Sequence, residues 1–444
     1  MNASLFLEYI DKYFRLVVGK ITEKFNDKSQ EQTLLHKTML TEEYSADLNW
    51  GSTELNHSIV AADVVALDSS LPLKSRDKMA NATGKLPKLG LKMRKGEKLI
   101  SDINVMIARG AQEATIAAKI FDDTTKVIKS IDVRKEIMFL QALSTGTCLV
   151  DSEENNGTGI RVDFGYKDEN KFKCVGKPWG QQDEKPVDDV QQLFDKAQED
   201  SNSIQYVCIS KKYFDLFRHS EQGKRLVASY NNIVVSESAV LPVPSRSAFQ
   251  AALTDEYGAE FIVVDEVFQV ENADGSKTAV KPWEVANVVG IPAMQVGRLV
   301  YGTLAEETNP VAQVNYQKSG SHILVSKYSK VDPLEEFTSA QALCLPVIDG
   351  ASSIYMLTAN ESGAVTVDPD ALSFGSAGGT ESATYAGDTT VTATTSDAWL
   401  TAAIDGNKVN VTAAENTGKA RSGKVTLSDA HGCTAVVNVS QAKA

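Results

Sequence analysis

The chain has 444 residues, 42% of them hydrophobic and 23% charged, which is enough apolar content for two or more domain cores and too much for a disordered protein. A formal net charge of −13 excludes general affinity for nucleic acid or anionic membrane. The five cysteines (Cys148, Cys174, Cys208, Cys344 and Cys433) lie too far apart for a metal knuckle or redox pair and predict free thiols in a reducing compartment.

Residues 3–25 place Phe6, Tyr9, Ile10, Tyr13, Phe14, Val17 and Ile21 on one face of a predicted helix. That face needs a partner, either the chain's own core or a neighbouring subunit. Glu8, Asp11, Lys12 and Arg15 interrupt the pattern and exclude a signal-peptide core, and no apolar run long enough to span a membrane follows, so a soluble product is expected. Residues 26–57 read as an extended polar connection.

Strand-like runs at 59–67 and 98–107 flank a basic segment in which nine cations, including Lys74, Arg76, Lys85, Lys88, Lys92, Arg94 and Lys95, face only Asp77 and Glu97. With few apolar residues at its tip, this predicts a long hairpin arm, mobile or braced by another chain. A basic limb on an acidic body can dock onto copies of itself.

Residues 109–146 form the longest helical pattern and contain no proline. Ile116, Ile120, Val127, Ile131, Met138 and Ala142 recur at near-helical spacing, with Phe121, Ile128 and Phe139 beside them. Gly146 is the predicted stop. At 1.5 Å per residue such a helix reaches about 57 Å, which suits a spine joining modules. Charges along it, among them Asp122, Asp123, Lys135 and Glu136, predict a helix only partly covered.

A strand at 159–166 follows, then a helix from Pro186, a strand at 204–209, a helix after Ser210 carrying Phe214 and Phe217, and a basic turn at Lys224 and Arg225. Next come a helix with Phe249 and Leu253, a strand at 261–270, the turn 272–275 and a strand at 286–291. This alternation predicts a mixed α/β module, and strands at 321–328 and 340–347 are expected to pair back near the spine. Beyond Ser362 short β-prone runs at 364–367, 389–394, 408–413, 424–427 and 435–439 predict a separate antiparallel sandwich.

No catalytic constellation emerges. Gly157-Thr-Gly159 lacks the third glycine and the helix of a dinucleotide site, and Gly223-Lys224 lacks the upstream glycine of a phosphate loop. The five histidines are isolated from one another. The pairs Asp122-Asp123 and Asp265-Glu266 are neighbours whose side chains diverge, and they read as solvated charge.

Ile160-Arg-Val-Asp-Phe-Gly165, the unit 204–226 with Tyr213, Leu216, Phe217 and Arg218, the segment 261–275, and Asp332-Pro333-Leu-Glu-Glu336-Phe337-Thr338 running into 339–347 together resemble the lambda-type major capsid protein E family of tailed bacteriophages, with its Hong-Kong-97-type fold. Gly378-Gly379, Trp399-Leu400, Asn416-Thr417-Gly418, Arg421-Ser-Gly423 and Val437-Asn-Val439-Ser-Gln441 resemble the Bacteroidetes-associated carbohydrate-binding (BACON) immunoglobulin-like domain.

The resemblance implies an α+β chain: an N-terminal arm (1–57), an E-loop (58–107), a P-domain with the spine (108–175), an A-domain (176–300), P-domain return strands (301–362) and an all-β immunoglobulin-like sandwich (363–444). It implies a non-enzymatic structural protein without cofactor or metal, self-assembling as hexamers and pentamers into an icosahedral virion capsid. Such a shell encloses DNA without reading its sequence and is built in the host bacterial cytoplasm. Portal, decoration and separate scaffold proteins are the implied partners, with gut glycans for the sandwich. Contacts between subunits are expected from the seven basic E-loop residues named above and from Phe6, Tyr9, Ile10, Tyr13 and Phe14, and glycan contacts from Tyr385 and Trp399, although a tryptophan in a sandwich is more often core. An E-loop lysine (Lys85, Lys88 or Lys92) could be cast in the covalent cross-link of some relatives, but the lambda-like branch gives no reason for one. The alternative from another class is a glycan-binding adhesin or carbohydrate-active protein carrying the same accessory domain.

Overall fold

The computed structural model describes residues 2–26, 34–51, 83–150, 160–234, 236, 239–271, 275–362, 365–386, 391–428 and 434–443. The expected strand at 59–67, Lys74, Arg76, Gly157, His57, His431, Cys433 and most of the turn at 272–275 lie outside them. Two compact units emerge, one of residues 1–170, 197–210 and 259–354, the other of 171–196, 211–258 and 355–444.

The first unit is built on a single helix, Glu113–Thr145, of 33 residues. It starts later than the apolar pattern suggests because Gly110 takes a left-handed φ of 70°, and it stops at Gly146 (φ 75°). A Cβ at Gly146 would lie 2.7 Å from the Tyr166 ring. The spine is partly covered, as expected, with Glu113, Lys119, Asp122, Lys126 and Lys129 exposed in its first half, but not every charge along it is solvated. Asp123, Asp132, Lys135 and Glu136 are all buried, and 135–140 is buried without a break. Charge is tolerated there because each group meets a partner from another segment.

The helix packs on a six-stranded sheet in the order Leu40–Tyr44, Gly297–Gly302, Glu335–Ile348, Ile323–Lys330, Asn315–Ser319. Lys88–Gly96 pairs antiparallel with the first part of Glu335–Ile348, and Gly297–Gly302 with the rest of the same edge. The basic segment is therefore a sheet strand over these residues, with Leu86 and Leu89 buried, and not a coreless arm. Residues 98–107 are likewise not a strand. Ile100 and Ile103 are buried at a spacing of three, and Glu97–Ala108 is a helix. The polar connection at 26–57 contains the short helix His36–Met39 and the strands Leu40–Tyr44, parallel to Gly297–Gly302, and Asn49–Gly51.

Also in this unit, Tyr206–Ser210 pairs parallel with Glu260–Val264 and antiparallel with Asn287–Ile291. The expected strand 261–270 is two strands, Phe268–Glu271 forming its own hairpin with Lys277–Val280.

The second unit contains the helices Lys211–His219, Glu221–Tyr230 and Arg246–Tyr257 and all but the last turn of Pro186–Glu199. Lys224 and Arg225 lie inside a helix and not in a turn, because Ser220 caps its start by accepting from the Gly223 N–H. Phe217 packs edge-on against Phe249 at 5.1 Å and beside Trp179 at 5.1 Å. The sandwich consists of two four-stranded sheets around a core that includes Leu400, Val409, Val411, Val425, Leu427 and Val437.

Candidate assembly surfaces

No group of His, Cys, Asp or Glu suited to a metal occurs among the described residues, and none of their helices is long and apolar enough to cross a membrane. Cys148, Cys208 and Cys344 are buried free thiols whose pKa burial pushes up to about 12, which leaves them unreactive. In the second unit burial pushes the Asp189 carboxyl up to about 6, but its oxygens already accept from Val175 N and Trp179 Nε1, a structural role.

The candidate contact residues divide sharply. On the basic strand Lys88, Lys92 and Arg94 are exposed, as is Lys85 on Thr83–Lys85. Arg94 reaches Glu335 at 2.8 Å and Lys92 lies 5.0 Å from the Phe337 ring centroid. Lys95 is buried on the opposite face in a hydrogen bond to Asp123 and is unavailable to a neighbour.

The N-terminal helix, Leu7–Asn26, lies on its own unit. Phe6, Ile10, Phe14 and Val18 are buried and Phe14 stacks on Phe121 at 6.1 Å, so three of the five expected neighbour contacts are instead core. Tyr9 and Tyr13 are half-buried, while Leu5, Leu7 and Leu16 face outward.

Two buried glutamates hold this limb. Glu336 accepts from the Ser4 hydroxyl and, at 3.1 Å, from Leu5 N. Glu136 accepts from Leu35 N at 2.8 Å, His36 N at 2.9 Å and His36 Nδ1 at 2.5 Å. Burial lowers the His36 pKa despite that carboxylate, so Nδ1 carries the donated proton of a neutral ring. Alongside, Lys135 donates to Asp132 (2.6 Å) and His322 Nε2 (3.0 Å). Burial would raise the Asp132 carboxyl, but Lys135 and Lys37 outweigh it and hold it at about 2, whereas burial and Lys135 push His322 down to about 3. These ions edge a cavity of about 180 Å³. Lys327, fully buried beside Thr338 and the Phe121 ring, falls to about 8 through burial.

In the second unit an unexpected feature stands out. After Glu221–Tyr230 the chain exposes Ile233 (56%), Val234 (100%), Val240 (95%) and Val243 (43%). Consecutive apolar residues without a helical or alternating period were the sequence signal for it, and outward apolar side chains grouped in one stretch make it a candidate interaction surface.

The proposed glycan platform is absent in the form expected. The Trp399 ring is covered by the Arg421 guanidinium at 4.3 Å and packs on the sandwich core. Tyr385 packs on the same core and donates its hydroxyl to Gly406 O. Arg421 also donates to Gln441 and Ala414 O, and Asn416 to Lys419 O and Ala442 O, so the motif residues interlock the sandwich's own turns.

A family model described as phage major capsid protein E matches residues 18–359, and the BACON binding-domain model matches residues 378–442. No curated protein matches the chain. Among solved structures, an E. coli CFT073 prophage protein assigned as a capsid protein is 13% identical with a TM-score of 0.46, over 81% of this chain and 99% of that one. A phage-related protein of Bordetella bronchiseptica RB50 is 12% identical with a TM-score of 0.43, over 78% and 96%. A GH5 xyloglucanase of Bacteroides ovatus, solved with an XXXG heptasaccharide, is 26% identical with a TM-score of 0.17, over 18% of this chain and 19% of that one.

Proposed function

This chain belongs to the phage major capsid protein E family, and from that premise we propose that its copies are joined through three outward-facing surfaces of opposite chemical character. It is a capsid-shell protein of the virion, carries a BACON domain at its C-terminus and acts as a multimer. The observation that carries the proposal is the apolar loop at 233–243, where Val234 is wholly uncovered in the single chain. Covering apolar side chains of this kind with another molecule is favourable, because it removes their surface from water.

In this reading the loop belongs to the axial A-domain and meets its equivalents around hexamer and pentamer axes. Lys74, Arg76, Lys85, Lys88, Lys92 and Arg94 of the E-loop meet acidic surface on a neighbour, and Leu5, Leu7 and Leu16 with half-buried Tyr9 and Tyr13 form the N-arm contact. The spine helix and its sheet act as the peripheral domain. The acidic average charge lets the shell enclose DNA without adhering to it. Assembly in the host bacterial cytoplasm, with separate portal, scaffold and decoration proteins, completes the reading, and the chain does no chemistry of its own. The sandwich sits on the outer surface and binds glycans.

The test is electron microscopy of the chain expressed alone, at about 0.05 M and about 1 M salt, a range over which the Debye length falls from more than about 10 Å to about 3 Å. Shells or capsomers at low salt that loosen at high salt are expected. A chain that stays monomeric in both would overturn the proposal, and assemblies indifferent to salt would remove its electrostatic part.

A further inference from the structure

We propose that the sandwich binds its ligand on the outer face of one sheet, in a groove beside Asp397, and that the ligand is a neutral, hydroxyl-rich chain such as a short oligosaccharide. The inference rests on the glycan reading above and places that binding on residues outside the Tyr385–Trp399 pair.

The sheet has the order Ala371–Phe374, Thr434–Gln441, Arg421–Ser428, Thr392–Thr395. Its register sets outward side chains in rows across three strands. Ser373 pairs with Ser440 and Ser440 with Ser422, giving three hydroxyls abreast, with Asn438 and Lys424 in the next row. Side chains directly opposite on one face stand about 5 Å apart, so a single extended polyol can meet several of them at once. The wall of the groove is Ser396-Asp397. Ser396 N donates to Lys424 O and its hydroxyl accepts from Lys424 N, which extends the sheet by one step and brings Asp397 to the rim of the groove. A Cβ at Gly423 would fall 2.8 Å from both Asp397 Oδ2 and Leu400 Cδ1, so only glycine lets Asp397 and the core side chain approach the strand there.

The groove measures about 510 Å³, within the usual range for small-molecule sites. Its polar lining of Ser396, Asp397, Ser422, Lys424, Asn438 and Ser440 includes one carboxylate and one ammonium, so it favours neither net charge. Hydroxyl, amide and carboxylate together offer both donors and acceptors, as a polyol requires. Phosphate or sulfate would meet Asp397, and a polycation would meet Lys424.

The test uses assembled full-chain particles on an array of neutral and acidic oligosaccharides. Particles should retain at least one neutral glycan. Asp397→Asn combined with Asn438→Ala should reduce that retention about tenfold or more, while Tyr385→Phe, on the other sheet, leaves it unchanged. Electron microscopy of each variant confirms that particles still form. If the double variant binds as wild type does, the groove is wrong and glycan binding survives elsewhere. Retention of acidic glycans alone overturns the ligand class, and wild-type particles that retain no glycan overturn the glycan reading itself.

Discussion

Replacing Glu136 with alanine should release the second anchor of the N-terminal limb at a cost of about 4 kcal/mol. The carboxylate is fully buried and accepts from two backbone amides and one imidazole. Hydrogen bonds to a charged group contribute about 1.5–3 kcal/mol each, and the three share one acceptor, so their sum overstates the loss. Truncating one partner of a buried charged network typically costs about 3–5 kcal/mol, which brackets the figure. The packing lost with one methylene is smaller, at about 0.8 kcal/mol. Glu136→Gln keeps the shape and one acceptor but turns an amide N–H toward donors, so it should cost about half as much. Urea denaturation of the unassembled subunit measures both, and hydrogen exchange at the Leu35 and His36 amides reports the anchor itself. Lys12→Ala, which breaks the exposed pair with Glu113, is the control and should stay within about 0.5 kcal/mol of wild type. A Glu136→Ala subunit within about 1 kcal/mol of wild type, with those amides still protected, would refute the argument.

Lys327 should make stability rise with pH. Its folded pKa of about 8 lies below the ordinary 10.5, so between those values the unfolded chain binds more protons and alkali favours the fold. Lys327→Met should flatten that rise relative to wild type in denaturation curves and cost little at neutral pH, since a buried charge is exchanged for apolar packing; equal slopes in both proteins would show that the amine does not titrate there. Val234→Asp with Val240→Asp should leave subunit stability unchanged, because both side chains are uncovered, yet abolish capsomers in sedimentation, and assembly at wild-type levels would remove the loop from the interface. Gly146→Ala should cost more than the 1–2 kcal/mol of a left-handed non-glycine residue, because its methyl also meets the Tyr166 ring, and thermal unfolding unchanged from wild type would contradict this.

What could be read from the sequence follows from which interactions are local. The spine, its stop at Gly146 and the helix from Pro186 depend on periodicity and caps within a few residues, and they formed as expected. The recurrent strands of the sandwich did too, because alternation and turn residues are likewise short-range signals. The run 98–107 failed because its apolar residues suit either period, and the choice went to the surface it meets: Ile100 and Ile103 cover the spine side together only in a helix. The charges failed for a longer-range reason. Asp122 and Asp123 are adjacent and chemically alike, yet one is exposed and the other is buried against Lys95, a strand away. Nothing within a helical turn of Asp123 distinguishes the two.

The anchors of the N-terminal limb are harder still to read, and for a physical reason. Glu136 and Glu336 are satisfied largely by backbone N–H groups, which every residue except proline supplies, so the segments they capture need no recognisable side chain. A buried carboxylate held by main chain therefore leaves a trace at one end of the contact only. Glu336 was visible solely because it lies in the stretch that resembles the capsid family, and even there its role was not. Outward-facing charge has the opposite property. The basic run was legible because its charge is unbalanced in sequence, even though Arg94 reaches Glu335 and Lys92 lies against Phe337, whereas the outward side chains of Ile233, Val234, Val240 and Val243 were found only in the structure. For a shell subunit this means that intramolecular anchoring is nearly invisible in sequence while a run of like charge is legible, provided each basic residue is first checked for a buried partner, the check that removes Lys95 from the set.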